Sequence, residues 1–243
     1  MIPKSGPSAL STQRLVQRLR KTSLESSLAG KPKLEVSGQT AVNIDVSKRL
    51  ANALPLYLLL VVGFAFILLA VVFRSLLVPL KAVLSFLLSL GAALGSTVAV
   101  YQWGWLGKLF GVDPASPILC FLPIIVIGVL FGLSMDYEIF LVSGMRERVV
   151  LGDEAHTAIH SGFALGAKVV AAAALIMIGV FGSGIFTSAS TTKPIAFALA
   201  VGVLVDAFVV RMIILPAVMA LFGKSAWWFP HWLDKILPKI TIE

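Results

Sequence analysis

The sequence predicts an all-α membrane protein whose five transmembrane helices pack as one bundle. Three observations lead to this prediction: 58% of the 243 residues are apolar, only 13% are charged, and the apolar residues fall in long unbroken runs. A soluble domain carries about 25% charged residues, and about 18 consecutive apolar residues indicate a membrane helix. Because no alternating pattern in the sequence supports a barrel, the spans are expected to be helices.

The five spans are expected to form one domain, residues 54–222, between two polar ends. Each has about 20 residues or more, enough to cross a hydrocarbon core about 30 Å thick. Glycines four residues apart recur within them, a spacing typical of helices whose backbones approach closely. The predicted spans are 54–73, 82–101, 117–143, 166–186 and 195–221, and the glycine pairs are Gly91/Gly95, Gly128/Gly132 and Gly162/Gly166.

Residues 1–53 are polar and predict the remnant of an extracytoplasmic domain with α/β structure. Ser11 is placed to cap a short helix, while Lys33–Val36 alternates like a strand and Ser37-Gly38 has the character of a turn. Asp45 or Ser47 is expected to cap the helix that runs into the first span.

Basic residues in short loops predict the orientation, because they are enriched on the cytoplasmic side. The loops after the first, third and fifth spans hold most of them, which predicts an outside N-terminus and a cytoplasmic C-terminus. The residues concerned are Arg74, Lys81, Arg146, Arg148, Lys168, Lys224, Lys235 and Lys239.

The basic N-terminal segment conflicts with that orientation, since basic residues near a span resist translocation. It carries nine Lys and Arg residues against three acidic ones, and no signal peptide precedes it. An upstream span that carries this segment across the membrane is therefore expected.

The C-terminal residues 223–243 predict a cytoplasmic amphipathic tail. Trp227, Trp228, Phe229 and Trp232 lie close to Lys235 and Lys239. Aromatic rings beside lysines are typical of segments that lie at the membrane–water interface.

Several other function classes find no support in the sequence. The net charge of +8 is not arranged as a basic patch among exposed aromatics, so nucleic-acid binding is not expected. His156 and His160 are four residues apart, but without a third ligand nearby they favour a solvated interfacial helix over a metal site. A single cysteine, Cys120, excludes an intrachain disulfide. No nucleophile motif or phosphate-binding loop indicates an enzyme, and no cofactor is expected.

Ionisable residues inside the spans are the candidate functional residues, because each costs roughly 2.5–3.5 kcal/mol to insert. Asp136, Tyr137 and Glu138 lie in the third span, and Asp206 and Arg211 in the fifth. Counted from the outer ends, Asp136, Asp206 and Arg211 lie within about 8 Å in depth. A carboxylate near a partner at that depth can load and release a proton.

Structural alternatives remain open for these residues. Arg211 can instead serve a structural role, either by snorkelling towards the membrane surface or by forming an internal ion pair. Glu138 can instead face cytoplasmic water. Asp206 and Arg211 are five residues apart, about 140° around an α-helix, which is not an ideal spacing for a pair.

Four sequence stretches resemble the MMPL transporters, a branch of the resistance-nodulation-division superfamily. Residues 131–147, FGLSMDYEIFLVSGMRE, resemble the signature of that family, and residues 202–212, GVLVDAFVVRM, resemble its last membrane helix. The ending WWFPHWLDKILP at residues 227–238 is similar to the usual ending of these proteins. Residues 36–41, with Asp45 and Ser47, resemble the close of their extracytoplasmic porter domain.

The resemblance implies that this chain corresponds to the last five helices of a two-half transporter core. It implies that Asp136 and Tyr137 carry proton coupling and that lipids, lipid-linked precursors or hydrophobic drugs are substrates. The Asp-Tyr pair of the first half, the expected partner of this pair, is absent from this sequence. The predicted proton relay therefore consists of Asp136, Tyr137, Asp206 and Arg211. Accessory candidates are Ser134, Glu138 and Phe140.

The resulting hypothesis is a proton-driven exporter of lipids or hydrophobic compounds in the bacterial inner (plasma) membrane. Its expected partners are the bilayer, protons, the substrate, and either a companion half or further copies of the chain. The alternative is a truncated, non-transporting membrane fragment or scaffold that needs a companion half. The sequence does not identify the substrate.

Overall fold

The structure, a computed structural model, describes residues 10–28, 35–107, 118–187 and 191–230. Five of its helices are long and apolar enough to cross a membrane, which confirms the predicted number of spans. Their bounds are Gln39–Phe73, Leu77–Gln102, Leu122–Val150, His156–Gly184 and Thr192–Phe222.

The helices follow one another through short connections, and two of them contain π-helical turns. The elements are α1 (Leu10–Leu28), α2 (Gln39–Phe73), α3 (Leu77–Thr97, continued by a π-helical Val98–Gln102), α4 (Leu122–Val150), α5 (Ala155–Gly184), α6 (Thr192–Leu204), the π-helical segment Val205–Ile214, α7 (Leu215–Phe222) and a final 3-10 turn (Gly223–Trp227).

The tight connection between α2 and α3 is stabilised by one serine. Arg74 ends α2 in the left-handed region with φ 46°. The Ser75 hydroxyl accepts hydrogen bonds from the backbone N–H groups of Leu77 and Val78, both at 3.2 Å, so it caps α3. The same hydroxyl donates to the Ala226 carbonyl at 2.6 Å, which joins the α2–α3 turn to the C-terminal end of the last span.

The predicted α/β remnant at the N-terminus is not supported. Within residues 1–53 the described residues form α1, a non-helical stretch at 35–38 and the start of α2, and none of them is in a strand. Lys33 and Leu34 of the expected strand lie outside the described residues. Because α2 begins at Gln39, Asp45 and Ser47 lie inside the helix and do not cap it. Asp45 instead accepts a 2.8 Å hydrogen bond from Arg20, which joins α2 to α1.

Helix α4 is central to the bundle and contacts α2, α3, α5 and α6. Besides a small cluster of Val100, Tyr101 and Phe197, apolar side chains form two larger clusters along the bundle. One includes Leu69, Met145 and Leu215, and the other includes Phe86 and Leu130. In sequence, the buried charged residues Lys81 and Glu138 lie among members of the first cluster, Asp206 lies among members of the second, and Arg211 lies between the two.

Of the three predicted glycine pairs, Gly162 and Gly166 make close interhelical contacts. A Cβ added to Gly162 would lie 2.7 Å from the carbonyl oxygen of Gly144 and from the backbone of Met145, and one added to Gly166 would lie 2.7 Å from Leu141. These contacts let α5 approach α4 closely. Among the described residues, nothing lies within 4 Å of a Cβ added to Gly91, Gly95 or Gly132.

We expect Gly162→Ala to destabilise the bundle by about 1–3 kcal/mol, the usual cost of overpacking. The methyl group would meet backbone atoms of α4, which cannot rotate away. Gly91→Ala is the matched control, because Gly91 is exposed and mid-helix, and alanine there should be neutral or slightly stabilising. Unfolding in detergent measures both. Equal stability of the two variants would contradict the close α4–α5 contact.

Candidate functional site

Four charged side chains are buried where α3, α4 and the last span meet. Lys81 is 6% exposed, Glu138 2%, Asp206 4% and Arg211 1%. Two are cations and two are carboxylates, so the group is neutral as a whole. Buried charges are tolerated when they are paired and hydrogen-bonded, and both conditions are met here. We call these four residues, with Ser89 and Ser134, the charge network.

The π-helical segment Val205–Ile214 brings Asp206 and Arg211 together. Its backbone bonds reach five residues back, as in the bond from the Leu215 N–H to the Val210 carbonyl. The wider turn places residues five apart on the same side of the helix. The Arg211 Nε therefore donates to Asp206 Oδ2 at 2.8 Å. The estimate of 140° from α-helical geometry was wrong, because this part of the span is not α-helical.

Two serines complete the surroundings of Asp206. Ser89 on α3 and Ser134 on α4 donate to Asp206 Oδ1 at 3.2 and 3.0 Å. Arg211 Nη2 in turn donates to the hydroxyl of Ser134 at 2.9 Å and to its backbone carbonyl. Three helices thus hold one carboxylate, which allows its protonation state to affect all three.

Lys81 and Glu138 form the other half of the charge network. The Lys81 ammonium lies 3.0 Å from both carboxylate oxygens of Glu138. Arg211 Nη1 lies 3.6 Å from Glu138 Oε2, so the guanidinium stands between Asp206 and Glu138. Glu138 is buried against these two cations, and the alternative that it faces cytoplasmic water does not fit its 2% exposure.

Lys81 was missed by the sequence reasoning, which placed it in a loop after the first span. In the structure α3 begins at Leu77, so Lys81 is inside the helix and does not count toward the orientation. The sequence did contain a sign of this buried position, because Lys81, Ser85 and Ser89 are spaced four residues apart. All three are buried in the structure. Such a row forms a polar stripe on one helix face.

Asp136 lies apart from the charge network. It is exposed, whereas Ser134 and Glu138, two residues to either side, are buried. The similar depths inferred from the sequence predicted that Asp136 would lie near Asp206 or Arg211. The structure does not bring Asp136 to either residue. Phe140, one helical turn further, is also exposed, at 50%.

Tyr137 connects the two sides of α4. Its ring lies under the Arg211 guanidinium, with 5.4 Å between the guanidinium carbon and the ring centroid. This geometry gives a cation–π contact. The hydroxyl of Tyr137 donates to the sulfur of Met177 on α5 at 3.7 Å. Of the predicted relay residues, Tyr137, Asp206 and Arg211 are thus neighbours, and Ser134 and Glu138 join them.

Asp136 belongs to an exposed stripe along α4, which we call the Asp136 face. Its members recur every three or four residues, and Asp136 is the charged one within an otherwise apolar row. The other members are Phe121, Ile125, Val129, Gly132 and Phe140.

The remaining features of the described residues do not form a second site. His156 and His160 are both exposed, and no group of three potential metal ligands occurs among the residues described. An open groove of about 330 Å³ lies between α3 and α7, with Leu77, Leu84 and Phe222 among its mostly aliphatic lining residues.

The fold and the charge network define a multi-pass membrane protein with ionisable residues held within its spans. The chain belongs to the MMPL family, whose model matches residues 7–237.

Three relatives illustrate the match. Membrane protein YdfJ of Bacillus subtilis is 49% identical over 243 residues, which are all of this chain and 33% of that protein. The mycolic acid-containing lipids exporter MmpL11 of Mycolicibacterium smegmatis is 41% identical, over 86% of this chain and 22% of the exporter. The trehalose monomycolate exporter MmpL3 of Mycobacterium tuberculosis is 34% identical, over 85% and 22%. The chain therefore spans a third or less of the length of these relatives.

Proposed function

We propose that this chain is the second membrane half of a proton-driven transporter that exports lipids or hydrophobic compounds across the inner membrane. The observation that carries the proposal is the presence of ionisable side chains at membrane depth on both faces of α4. Asp206, Glu138 and the two cations lie on its buried side, and Asp136 on its exposed side. Ionisable residues inside a membrane are costly and mark ion or proton pathways by default.

Asp136 and Tyr137 are the proposed coupling pair, and Asp206 and Arg211 the proposed internal relay. Tyr137 lies between them, adjacent to Asp136 in the chain and stacked with Arg211. A proton that binds Asp136 removes a negative charge next to Tyr137 in the chain, and the Tyr137 ring in turn contacts the Arg211 guanidinium. Through this contact the exposed face and the buried network can respond to one another.

A companion half is the proposed partner of the Asp136 face. A carboxylate exposed to lipid at this depth is expensive, whereas one that faces another protein surface can find a donor there. The rest of the face is apolar and contains Gly132, which leaves room for a close helix–helix approach. The lengths of the relatives are consistent with further protein at this surface, because the chain covers only 22–33% of them.

Lipids are the proposed substrate class because two relatives are named as lipid exporters. One exports mycolic acid-containing lipids and the other trehalose monomycolate. The proposed orientation has the N-terminal segment outside and the C-terminus in the cytoplasm. It now rests on Arg74 and the basic residues of the α4–α5 and C-terminal segments, without Lys81.

The test is lipid transport in inverted membrane vesicles that contain the assembled transporter. If the orientation and driving force are as proposed, labelled lipid should enter the vesicle lumen or its inner leaflet only when the lumen is acidic. An uncoupler should abolish the movement. Transport that persists without a proton gradient would rule out proton coupling. A complete lack of transport by the assembled protein would favour the alternative, a scaffold without transport activity.

A further inference from the structure

Arg211 has one nitrogen, Nη1, whose N–H groups are not used in the observed arrangement. Its Nε donates to Asp206, and its Nη2 donates to Ser134. Its Nη1 is fully buried and has no hydrogen-bond acceptor among the residues that the structure describes. The nearest carboxylate oxygen, Glu138 Oε2, is 3.6 Å away, a few tenths of an ångström beyond a normal hydrogen bond of 2.7–3.2 Å.

This arrangement gives Arg211 two possible carboxylate partners at different distances. Asp206 is the closer one at 2.8 Å, and Glu138 is the more distant one at 3.6 Å. A small movement of the guanidinium lets Nη1 bond to Glu138 while the contact with Asp206 lengthens. An unsatisfied buried donor costs about 1–3 kcal/mol, so the second position is reachable once Asp206 holds Arg211 less strongly.

We infer that Lys81 is a positioning residue for an exchange of Arg211 between Asp206 and Glu138 when Asp206 gains or loses a proton. Protonated Asp206 is neutral and attracts Arg211 less than charged Glu138 does. Lys81 holds the Glu138 carboxylate in place, because its ammonium group donates to both carboxylate oxygens at 3.0 Å. This inference rests on the proposed proton coupling and assigns a role to Lys81 and Glu138 within it.

The charged groups around Asp206 in the described part of the chain lie on three helices, and Tyr137 on α4 is a further titratable neighbour. Arg211 lies on its own helix, Glu138 on α4 and Lys81 on α3. The polar neutral contacts are Ser89 and Ser134. With Asp206 charged, this set is neutral. When Asp206 takes up a proton, the set gains one positive charge, and Glu138 is the remaining carboxylate that can share both cations.

The test uses the assembled transporter in lipid vesicles and needs no transport. Infrared difference spectra recorded across about pH 4–9 report the protonation of Asp206 and the carboxylate band of Glu138. The bands are assigned by their loss in Asp206→Asn and Glu138→Gln. In the unmodified chain, the Glu138 band should shift with the same midpoint as Asp206 protonation. It should already be shifted in Asp206→Asn, which mimics the protonated state.

Substitutions at Lys81 test its positioning role. Lys81→Met should raise the midpoint of Asp206 protonation by about one pH unit, equivalent to about 1.4 kcal/mol, because Glu138 then draws Arg211 from Asp206. Lys81→Arg should restore the original midpoint. The exposed Lys48→Met is the matched control and should change nothing.

Each contrary result has a distinct meaning. A Glu138 band that ignores Asp206 protonation would overturn the exchange, and so would an Asp206 that does not titrate. Reduced stability of Lys81→Met with an unchanged Asp206 midpoint would show that Lys81 is merely structural. The spectra do not depend on lipid export, so a failure to detect export would leave the spectroscopic result unaffected. Equally, spectra that contradict the exchange would leave the export result unaffected.

Discussion

Asp136→Asn should abolish proton-coupled export while the protein accumulates at a normal level. Asparagine has almost the same shape as aspartate, but it cannot give up a proton at physiological pH. Because Asp136 is exposed on α4, its replacement leaves the charge network and the two apolar clusters intact. We expect export by the assembled transporter to fall by about 100-fold or more, the scale on which loss of a proton-transfer group acts.

Two further variants make this result specific. Tyr137→Phe removes one hydroxyl and no charge, and the cation–π contact with Arg211 is retained, so export should fall less than in Asp136→Asn. Glu147→Gln is the matched control, because it makes the same acid-to-amide change at an exposed position near the end of the same helix. Export should be unchanged in Glu147→Gln. Normal export in Asp136→Asn would remove Asp136 from the relay.

The number of spans could be predicted from the sequence because it depends on local composition. A run of apolar residues crosses a bilayer whatever its neighbours are, and each of the five predicted runs overlaps one helix of the structure, although 117–143 begins before its helix and 166–186 ends two residues after its helix. Their ends were less predictable. Helix α3 begins at Leu77, several residues before the predicted start at 82, because the Ser75 hydroxyl caps it across a turn that apolarity does not reveal.

The same boundary explains why Lys81 was missed as a member of the charge network. The predicted span began at residue 82 and therefore left Lys81 in the preceding loop. In the structure the longer helix includes Lys81, which is a buried partner of Glu138. Its partner lies 57 residues away in the chain, and only the packing of α3 on α4 identifies it.

The pairing of Asp206 and Arg211 was unpredictable for a different reason. The interval of five residues disfavours a pair in an α-helix, and the sequence shows no sign of the change to π-helical turns. In the wider π-helical turn, Asp206 and Arg211 form a buried ion pair and both contact Ser134. The stability that these contacts give is available only in that conformation. The local conformation of the last span is therefore tied to tertiary contacts that its own residues do not specify. Such π-helical turns are frequent at functional sites.

In the N-terminal segment, the sequence predicted a strand that the described residues do not form. Alternation over Lys33–Val36 and a following Ser37-Gly38 predicted a strand and a turn, but a strand needs a neighbouring strand to bond with. Among the described residues none is available, and the polar residues from Gln39 onward continue the first spanning helix without a break.

Arg211→Gln should destabilise the bundle by about 3–5 kcal/mol, the cost of leaving one partner of a buried pair uncompensated. Asp206 would then be a buried carboxylate with no cation bonded to it, and the network would carry one net negative charge. The deficit relative to the unmodified chain should shrink as the pH falls, because a proton on Asp206 removes the uncompensated charge. Unfolding in detergent at several pH values measures both effects.

The double variant Asp206→Asn with Arg211→Gln separates charge from packing. It restores neutrality while Lys81 and Glu138 remain paired, so it should recover at least half of the loss caused by Arg211→Gln alone. The difference between the double variant and the two single ones gives the coupling energy of the pair. Arg49→Gln is the control, because Arg49 is exposed and its loss should change stability by no more than about 0.5 kcal/mol. Additive losses in the double variant, or a deficit of Arg211→Gln that does not depend on pH, would show that Asp206 does not need Arg211 and that the charge network is not a coupled unit.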